Sequence, residues 1–287
     1  MVEVKCRYCK SEAIVKRGLS PTRNRGKQQR YLCKSCKKSF IQDLGFWKMK
    51  NSEEIITMSV DMYLSNLSSR KMRNQLSRHM KTKISHISVL DWVRKYVLKV
   101  HKYVETLNYN LGGIFYADET VINRQGRNDK FWACVDWKTR MITGIHYSIT
   151  ANPQEAVIFL RKAVEKGKPS YIQTDAAGFY PRAFRKLFYS RQRKDLEIGH
   201  RIQNYSETGI HNYKIETVFM KIKDRVDDFR GLKALWSAPI LMAGIVIQHN
   251  FIEAHTTTRQ IPCESAGQVL DAGVNRWLGL IKIASSY

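Results

Sequence analysis

Three acidic residues in the second half of the chain occupy positions from which they can reach one point. Asp118 follows the apolar run 114–117, and Asp175 follows a predicted buried strand over 170–174. Glu216 lies on a later predicted helix. Converging carboxylates repel one another unless divalent cations neutralise them, and hard oxygen ligands suit Mg²⁺ or Mn²⁺. The pattern predicts a catalytic metal site at which water and phosphate oxygens complete the coordination shell.

Other acidic residues compete for this role, so composition alone does not select the three. An aspartate at the end of a strand is often a turn or cap residue, and a glutamate on a helix is often solvated. Glu207, in a predicted loop, remains the alternative to Glu216 as the third acid. The competing acids are Glu119, Asp136, Glu207, Asp224 and Asp227.

Four cysteines near the N-terminus have the spacing of a structural zinc site. Cys6 and Cys9 form one CxxC pair, and Cys33 and Cys36 form a second pair after 23 intervening residues. Each pair can place two thiolates on one turn, and two such turns complete a tetrahedral four-sulfur site. The spacing predicts a zinc ribbon with a closed Zn²⁺ site; four free thiols or a redox pair are the alternatives.

The charge of the chain points to a polyanionic partner. Lys and Arg number 49 against 25 Asp and Glu, which gives a formal net charge of +24. Residues 1–110 hold 24 of the basic and only 8 of the acidic residues, so two thirds of the excess lies there. Such a field attracts nucleic acid, although single charged runs usually serve solubility. The basic residues predicted to contact DNA between the cysteine pairs are Arg23, Arg25, Lys27 and Arg30.

Composition excludes two other classes. Hydrophobic residues make up 43% and charged residues 26%, which is typical of a globular chain and excludes a disordered one. The longest apolar run, 234–247, contains Pro239 and is shorter than the roughly 20 residues that a membrane span needs. Without an apolar leader, cysteine pairs indicate a reducing compartment, so we expect a cytoplasmic, nucleoid-associated protein without membrane contact.

Between residues 51 and 100 the apolar spacing predicts three helices. Ser52 or Asn51 can cap the first helix, and Ser85 can begin the third. Two helices, a tight turn and a third helix are typical of a helix-turn-helix domain, whose last helix enters the major groove of DNA. A plain three-helix bundle would show the same periodicity. The predicted DNA contacts of the third helix are Ser85, His86, Ser88 and Arg94.

After residue 113 the pattern changes to strands and helices. Three strands, a helix that begins at Pro153, a strand to Thr174 and further helices give the order β-β-β-α-β-α-β-α. This order predicts an α/β fold with a mixed sheet. We therefore divide the chain into a zinc ribbon (1–45), a helix-turn-helix domain (46–110), a catalytic domain (111–255) and a C-terminal tail (256–287).

Together these modules and the local sequences around the acids resemble DDE transposases of the insertion-sequence six family. The resemblance covers about residues 5–255. It rests on the two N-terminal modules and on five local sequences: 116–120 (YADET), 174–180 (TDAAGFY), 211–216 (HNYKIE), 221–225 (KIKDR) and 229–233 (FRGLK).

The resemblance implies a ribonuclease-H-like core in which Asp118, Asp175 and Glu216 are the catalytic, metal-binding acids. Lys223, seven residues after Glu216, matches a basic residue of the family and is expected to contact a DNA phosphate. The implied enzyme nicks the terminal inverted repeats of an insertion sequence and joins the 3′-OH ends to target DNA as a homodimer or larger assembly.

A second hypothesis belongs to another class of protein. A zinc-ribbon and helix-turn-helix regulator with an inactive ribonuclease-H-like domain would bind double-stranded DNA without cutting it. A structure-selective nuclease with the same core would cut DNA without joining it.

Overall fold

A small antiparallel sheet begins the part of the chain that the computed structural model describes, which comprises residues 4–22, 26–80, 82–203, 213–228 and 234–287. Its strands, in the order β1-β2-β3, are β1 (Ile14–Thr22), β2 (Gly26–Cys33) and β3 (Ser39–Ile41). Only a few apolar side chains are buried there: Cys6, Cys33 and Phe40 form a separate small cluster. This sheet therefore has little hydrophobic core of its own, and cross-linking through a metal would supply stability that packing does not.

Three helices follow the small sheet: α1 (Glu53–Leu64), α2 (Ser69–Met80) and α3 (His86–Val104). The side chain of Ser52 caps α1 by accepting a hydrogen bond from the Ile55 N–H, and Ser85 caps α3 in the same way. Each cap stabilises its helix by about 1 kcal/mol, because it satisfies an N–H that the helix leaves open. Three helices with these starts agree with the sequence pattern.

The central element is a mixed sheet of five strands in the order β10-β7-β4-β5-β6. Strands β4, β5 and β6 are antiparallel neighbours, whereas β7 and β10 run parallel to β4. The strands are β4 (Ile114–Arg124), β5 (Arg127–Asp136), β6 (Ile142–Ser148), β7 (Tyr171–Thr174) and β10 (Gly199–Ile202). A minor hairpin of β8 (Tyr189–Ser190) and β9 (Asp195–Leu196) precedes β10.

One face of the central sheet is covered by α4 (Pro153–Glu165) and α5 (Phe179–Phe188). Trp132 and Cys134 of β5 point to this face and join a buried cluster with Phe159 and Tyr180. Helix α4 lies very close to the edge strand β6, since a Cβ at Gly144 of β6 would lie 2.5 Å from the Cα of Ala163 of α4. Only glycine fits at that position.

The opposite face of the sheet is covered by α6 (Tyr213–Asp228) and α7 (Ser237–Ile247). Helix α7 continues as one π-helical turn over Gln248–Ile252. Ala133 and Val135 of β5 point to this face, and their cluster also contains buried residues of α1, α3, α6 and α7. The three N-terminal helices thus share one continuous apolar core with the sheet.

The C-terminal segment, expected to be a tail, contains the short helix α8 (Pro262–Ser265) and the longer helix α9 (Arg276–Ser286). Trp277 is buried, and its Nε1–H donates to Oε1 of Gln248 at 2.7 Å. Leu280 and Ile281 belong to the same core as α1 and α3. The expectation of a tail is therefore corrected, because apolar residues one helical turn apart give α9 a buried face.

Candidate active site

The two predicted catalytic aspartates lie on neighbouring parallel strands. Asp118 pairs with Ala133 across β4 and β5, and Asp175 directly follows the last residue of β7. Tyr116 is aligned with Gln173, so Asp118 and Asp175 are each two residues beyond that pair. The strand does not end with the apolar run 114–117 that precedes Asp118, because β4 continues to Arg124 in a hairpin with β5. The neighbourhood of the two aspartates follows from the parallel register instead.

Three carboxylates come together at this point: Asp118, Asp175 and Glu119 each offer an oxygen, and these oxygens lie within 4.8 Å of one another. Octahedral coordination of Mg²⁺ at about 2.0–2.1 Å separates ligand oxygens by about 3–4 Å, so small side-chain rotations would allow a shared cation. Oxygen ligands with this negative charge fit Mg²⁺ or Mn²⁺ rather than a softer metal.

The local field shows why a cation would stabilise this cluster. Burial, followed by the charges of Asp175 and Glu119, raises the pKa of Asp118 to about 8. Burial and the charge of Asp175 likewise raise the pKa of Glu119. A divalent ion would reverse this effect, because it favours the ionised form of each carboxylate.

Glu119 reaches the cluster from the other side of the strand. It pairs with Trp132, whose side chain points to the face covered by α4 and α5, and the Tyr180 hydroxyl donates to its Oε2 at 3.0 Å. From the sequence, Glu119 is only one of several competing acids, and its position next to Asp118 is the one signal that marks it. Because neighbouring strand residues point to opposite faces, the alternation argued against placing both acids in one cluster.

Glu216, the predicted third acid, is near but outside this cluster of three. It lies exposed in the first turn of α6, which packs against β4. Its charge contributes to the raised pKa of Asp118 as the last of several causes. Lys223 is exposed two turns further along α6. The alternative acid Glu207 lies outside the described residues.

Backbone and side-chain contacts hold the two aspartates in place. The N–H of Glu119 donates to Oδ1 of Asp118 at 2.8 Å, and the N–H of Ala177 donates to Oδ1 of Asp175 at 3.1 Å. Behind Asp175, the buried Thr174 hydroxyl lies 2.8 Å from Nε2 of His200. Burial lowers the pKa of His200 to about 4, so the ring is neutral near pH 7.

The four N-terminal cysteines form the second candidate metal centre. Sγ of Cys6 is 3.6 Å from Sγ of Cys36, and Sγ of Cys9 is 3.5 Å from Sγ of Cys33. All four sulfurs lie within 4.8 Å of one another. A tetrahedron of Zn–S bonds of about 2.3 Å separates its sulfurs by about 3.8 Å, so this arrangement fits Zn²⁺. The backbone N–H of Cys36 donates to the sulfur of Cys33 and lowers its pKa to about 6, which favours the thiolate that zinc requires.

The residues predicted to contact DNA have different surroundings. Lys27 and Arg30 are exposed on β2, whereas Arg23 and Arg25 lie outside the described residues. Ser85 is the cap of α3 and accepts from the N–H of Ser88, and His86 is the first residue of that helix.

Arg94 lies further along α3 and has two partners. Its Nη1 is 3.3 Å from Asp91, and its guanidinium lies 4.8 Å from the centre of the Trp236 ring. Arg94 therefore links α3 to the start of α7 in this structure, and a contact with DNA would compete with that role.

The strand order and the acidic cluster define a class of protein. Three antiparallel strands followed by two parallel ones, with carboxylates on the first and fourth strands, form a ribonuclease-H-like domain built for metal-dependent phosphoryl transfer. This confirms the fold class expected from the sequence. Among the described residues no helix combines the length and apolarity needed to cross a membrane.

Comparison with known proteins identifies the family. Residues 114–255 match the sequence profile of the DDE domain of IS240-type transposases. Residues 114–255 therefore form a DDE transposase domain, and the protein is an enzyme of the class that cuts and joins DNA strands, as the resemblance implied. No curated protein matches the chain significantly.

Retroviral integrases are among the solved structures that match the chain, at low identity and with low TM-scores. The HTLV-2 integrase catalytic core domain in complex with magnesium, in its trimeric form, is 14% identical with a TM-score of 0.41, over 56% of this chain and 98% of that one. The simian T-cell lymphotropic virus intasome in complex with the PP2A regulatory subunit B56 gamma is 15% identical with a TM-score of 0.39, over 74% and 73% of the two chains.

Proposed function

We propose that this transposase nicks the ends of an insertion sequence and joins the freed 3′-OH ends to target DNA. The observation that carries the proposal is the juxtaposition of Asp118 and Asp175 on adjacent parallel strands of a DDE domain. The substrates of the enzyme would be double-stranded DNA, namely the terminal inverted repeats of the element and the target. Because the element has two ends to be cut, the enzyme would act as a dimer or a larger assembly. The strong positive charge of the chain supports a DNA partner.

The residues of the site have distinct roles in this proposal. Asp118, Asp175 and Glu216 would hold Mg²⁺ or Mn²⁺, which supplies Lewis acidity and charge neutralisation for an in-line displacement at phosphorus. The sheet fixes the two aspartates through strand pairing and backbone N–H groups, while Glu216 approaches from α6. Lys223 on α6 would contact a DNA phosphate.

The N-terminal part of the chain would position DNA rather than react with it. Zn²⁺ held by Cys6, Cys9, Cys33 and Cys36 would stabilise the ribbon, since four protein ligands leave no open position for chemistry. We propose the division into zinc ribbon, helix-turn-helix and catalytic domain given above. Because α9 packs on α1 and α3, we add the C-terminal segment to the helical layer. The location we propose is cytoplasmic and nucleoid-associated.

The experiment compares Asp118→Asn and Asp175→Asn with the native protein on duplexes that carry the inverted repeats flanking the gene. Both variants should bind these duplexes like the native protein but lose Mg²⁺-dependent nicking by at least about 1,000-fold. Asp271→Asn changes an exposed aspartate far along the chain and serves as the matched control. Undiminished nicking by both variants would reject the assignment.

The same assay decides between the candidate third acids. Glu216→Gln should abolish nicking as the aspartate variants do. Glu119→Gln should retain measurable nicking, because in this proposal Glu119 lies near the metal ion without being one of its three acidic ligands. The reverse order of effects would assign the third position to Glu119. Specific DNA binding by the native protein without cleavage under any divalent metal would favour the regulator hypothesis.

A further inference from the structure

A concave pocket lies on the face of the sheet that α6 covers. Its volume is about 310 Å³, and it is lined by the end of β5, the turn before β6, one side of α6 and the loop after the π-helical turn. The polar lining includes Arg140, Thr217, Lys221, His249 and His255. None of these residues has a role in the metal site described above.

The pocket gathers positive charge from separate parts of the chain. Arg140, from the turn before β6, and Lys221, from α6, carry this charge, and His255 adds a hydrogen-bond donor from the loop after the π-helical turn. Lys221 has an acidic partner in Glu253 at 3.5 Å, and about half of its side chain remains exposed. Positive charges on the wall of a largely apolar pocket raise the electrostatic potential inside it, and this potential attracts an anion.

The donors of the pocket are oriented by the surrounding structure. Nδ1 of His255 accepts a hydrogen bond from the Thr257 N–H at 3.2 Å, so the neutral ring carries its proton on Nε2. The guanidinium of Arg140 stacks on Trp137, 3.3 Å from the ring centre. The buried His249 donates from Nε2 to the carbonyl of Arg140 at 2.9 Å and fixes that turn. These contacts reduce the ordering that an anion would have to impose.

The pocket is placed to act on the same substrate as the acidic cluster. Asp118 is opposite Ala133, and the pocket begins at Val135, two residues along the same strand and on the same face. Two strand residues span about 7 Å, so the near edge of the pocket lies within a few nucleotides' length of the aspartates. Thr217 of the pocket directly follows Glu216 on α6.

We infer that this pocket binds a phosphodiester group of the DNA strand that lies in the active site, a few nucleotides from the phosphate that reacts. The inference rests on the proposed function, because it needs DNA at the acidic cluster. The phosphate oxygens would accept hydrogen bonds from Lys221, Arg140 and Nε2 of His255. This contact would hold the strand in register without reading its sequence.

The test measures DNA binding without Mg²⁺ as a function of salt, using a duplex of fixed random sequence and the full chain. Lys221→Gln should weaken binding and reduce the slope of log affinity against log salt concentration by about 0.9, the value for one lost phosphate contact. Lys168→Gln is the matched control, since Lys168 is also exposed and paired with a glutamate, Glu197, at 3.1 Å. The control should leave the slope unchanged.

A second measurement locates the contact and separates DNA from a free anion. In this measurement a neutral methylphosphonate linkage replaces one phosphate of the DNA at a time. At one or two positions the replacement should weaken binding of the native protein but leave binding of Lys221→Gln unchanged. Equal sensitivity of both proteins at every position would overturn the inference. It would also fail if Lys221→Gln removed stabilisation by inorganic phosphate but kept the native salt slope, because the pocket would then hold only the free ion.

The two proposals fail in different ways. If the native protein nicks DNA and Lys221→Gln has the native salt slope, only the pocket assignment is wrong. If the native protein binds DNA but Asp118→Asn and Asp175→Asn still nick it, the proposed active site is wrong, whatever the slope of Lys221→Gln.

Discussion

Replacing Asp118 by Asn should make the metal-free protein more stable, and increasingly so as the pH rises. The native carboxyl is half-buried beside Asp175 and Glu119, and its burial and their charges raise its pKa from 3.8 to about 8. Asparagine has a similar shape, retains an oxygen that can accept from the Glu119 N–H, and carries no charge. The variant therefore removes the repulsion while the local hydrogen bond persists.

The sign and size follow from proton linkage. Between pH 3.8 and about 8 the folded protein keeps a proton on Asp118 that the unfolded chain releases, so native stability falls as the pH rises through this window. Each pH unit costs up to about 1.4 kcal/mol for one proton, which gives at most about 4 kcal/mol between pH 3.8 and about pH 7. Above about pH 8 both states are ionised and the loss reaches its limit.

Urea denaturation of both proteins between about pH 5 and pH 8 measures this difference, in magnesium-free buffer with zinc retained. The half-buried His200 and the buried His249, whose pKa values burial lowers to about 4, affect both proteins equally and cancel in the comparison. Mg²⁺ should then stabilise the native protein more than the variant, because it binds the folded carboxylates. Stability curves of the two proteins that stay parallel across this pH range would refute the electrostatic reasoning.

Two further predictions concern parts of the chain remote from the acids. Cys33→Ser should lower the zinc content, measured by atomic emission, to well below one ion per chain. It should also remove the far-UV circular dichroism signal of the ribbon, because the small core of the ribbon depends on the metal. A full equivalent of retained zinc would contradict this prediction. Gly279→Ala should lower the free energy of unfolding by about 1–3 kcal/mol in urea titrations, since its Cβ would lie 2.0 Å from the carbonyl oxygen of Ala272. Gly178→Ala is the control, because a Cβ at Gly178 would have nothing within 4 Å. Equal stability of the two variants would show that α9 is not packed as described.

The parts of the fold that sequence predicted well are those with local signals. Ser52 and Ser85 are polar residues directly before apolar helical periodicity, and both cap their helices. Asn152 followed by Pro153 likewise begins α4. The two CxxC pairs also converge, because a short turn alone brings each pair together.

The parts that sequence predicted poorly depend on partners distant in the chain. The second half of β4 is largely polar, and only its pairing with β5 across a two-residue turn makes Thr120 to Arg124 a strand. Glu119 joins the acidic cluster through Tyr180, which lies 61 residues away. Trp277 gives α9 a buried anchor, but its partner Gln248 lies on another helical element. No local pattern contains these contacts.

The acidic site is therefore a consequence of sheet register and helix packing more than of the local sequences that mark it. Strand pairing fixes Asp118 and the end of β7, and the Ala177 N–H holds the carboxylate of Asp175 one residue beyond that strand. Glu216 is different, since its approach depends on how α6 packs on the sheet through Ile215 and Phe219, the latter in edge-to-face contact with Phe131. Loss of that packing would move Glu216 while the two aspartates stayed together. Such a variant would still bind metal through the aspartates but would lose catalysis.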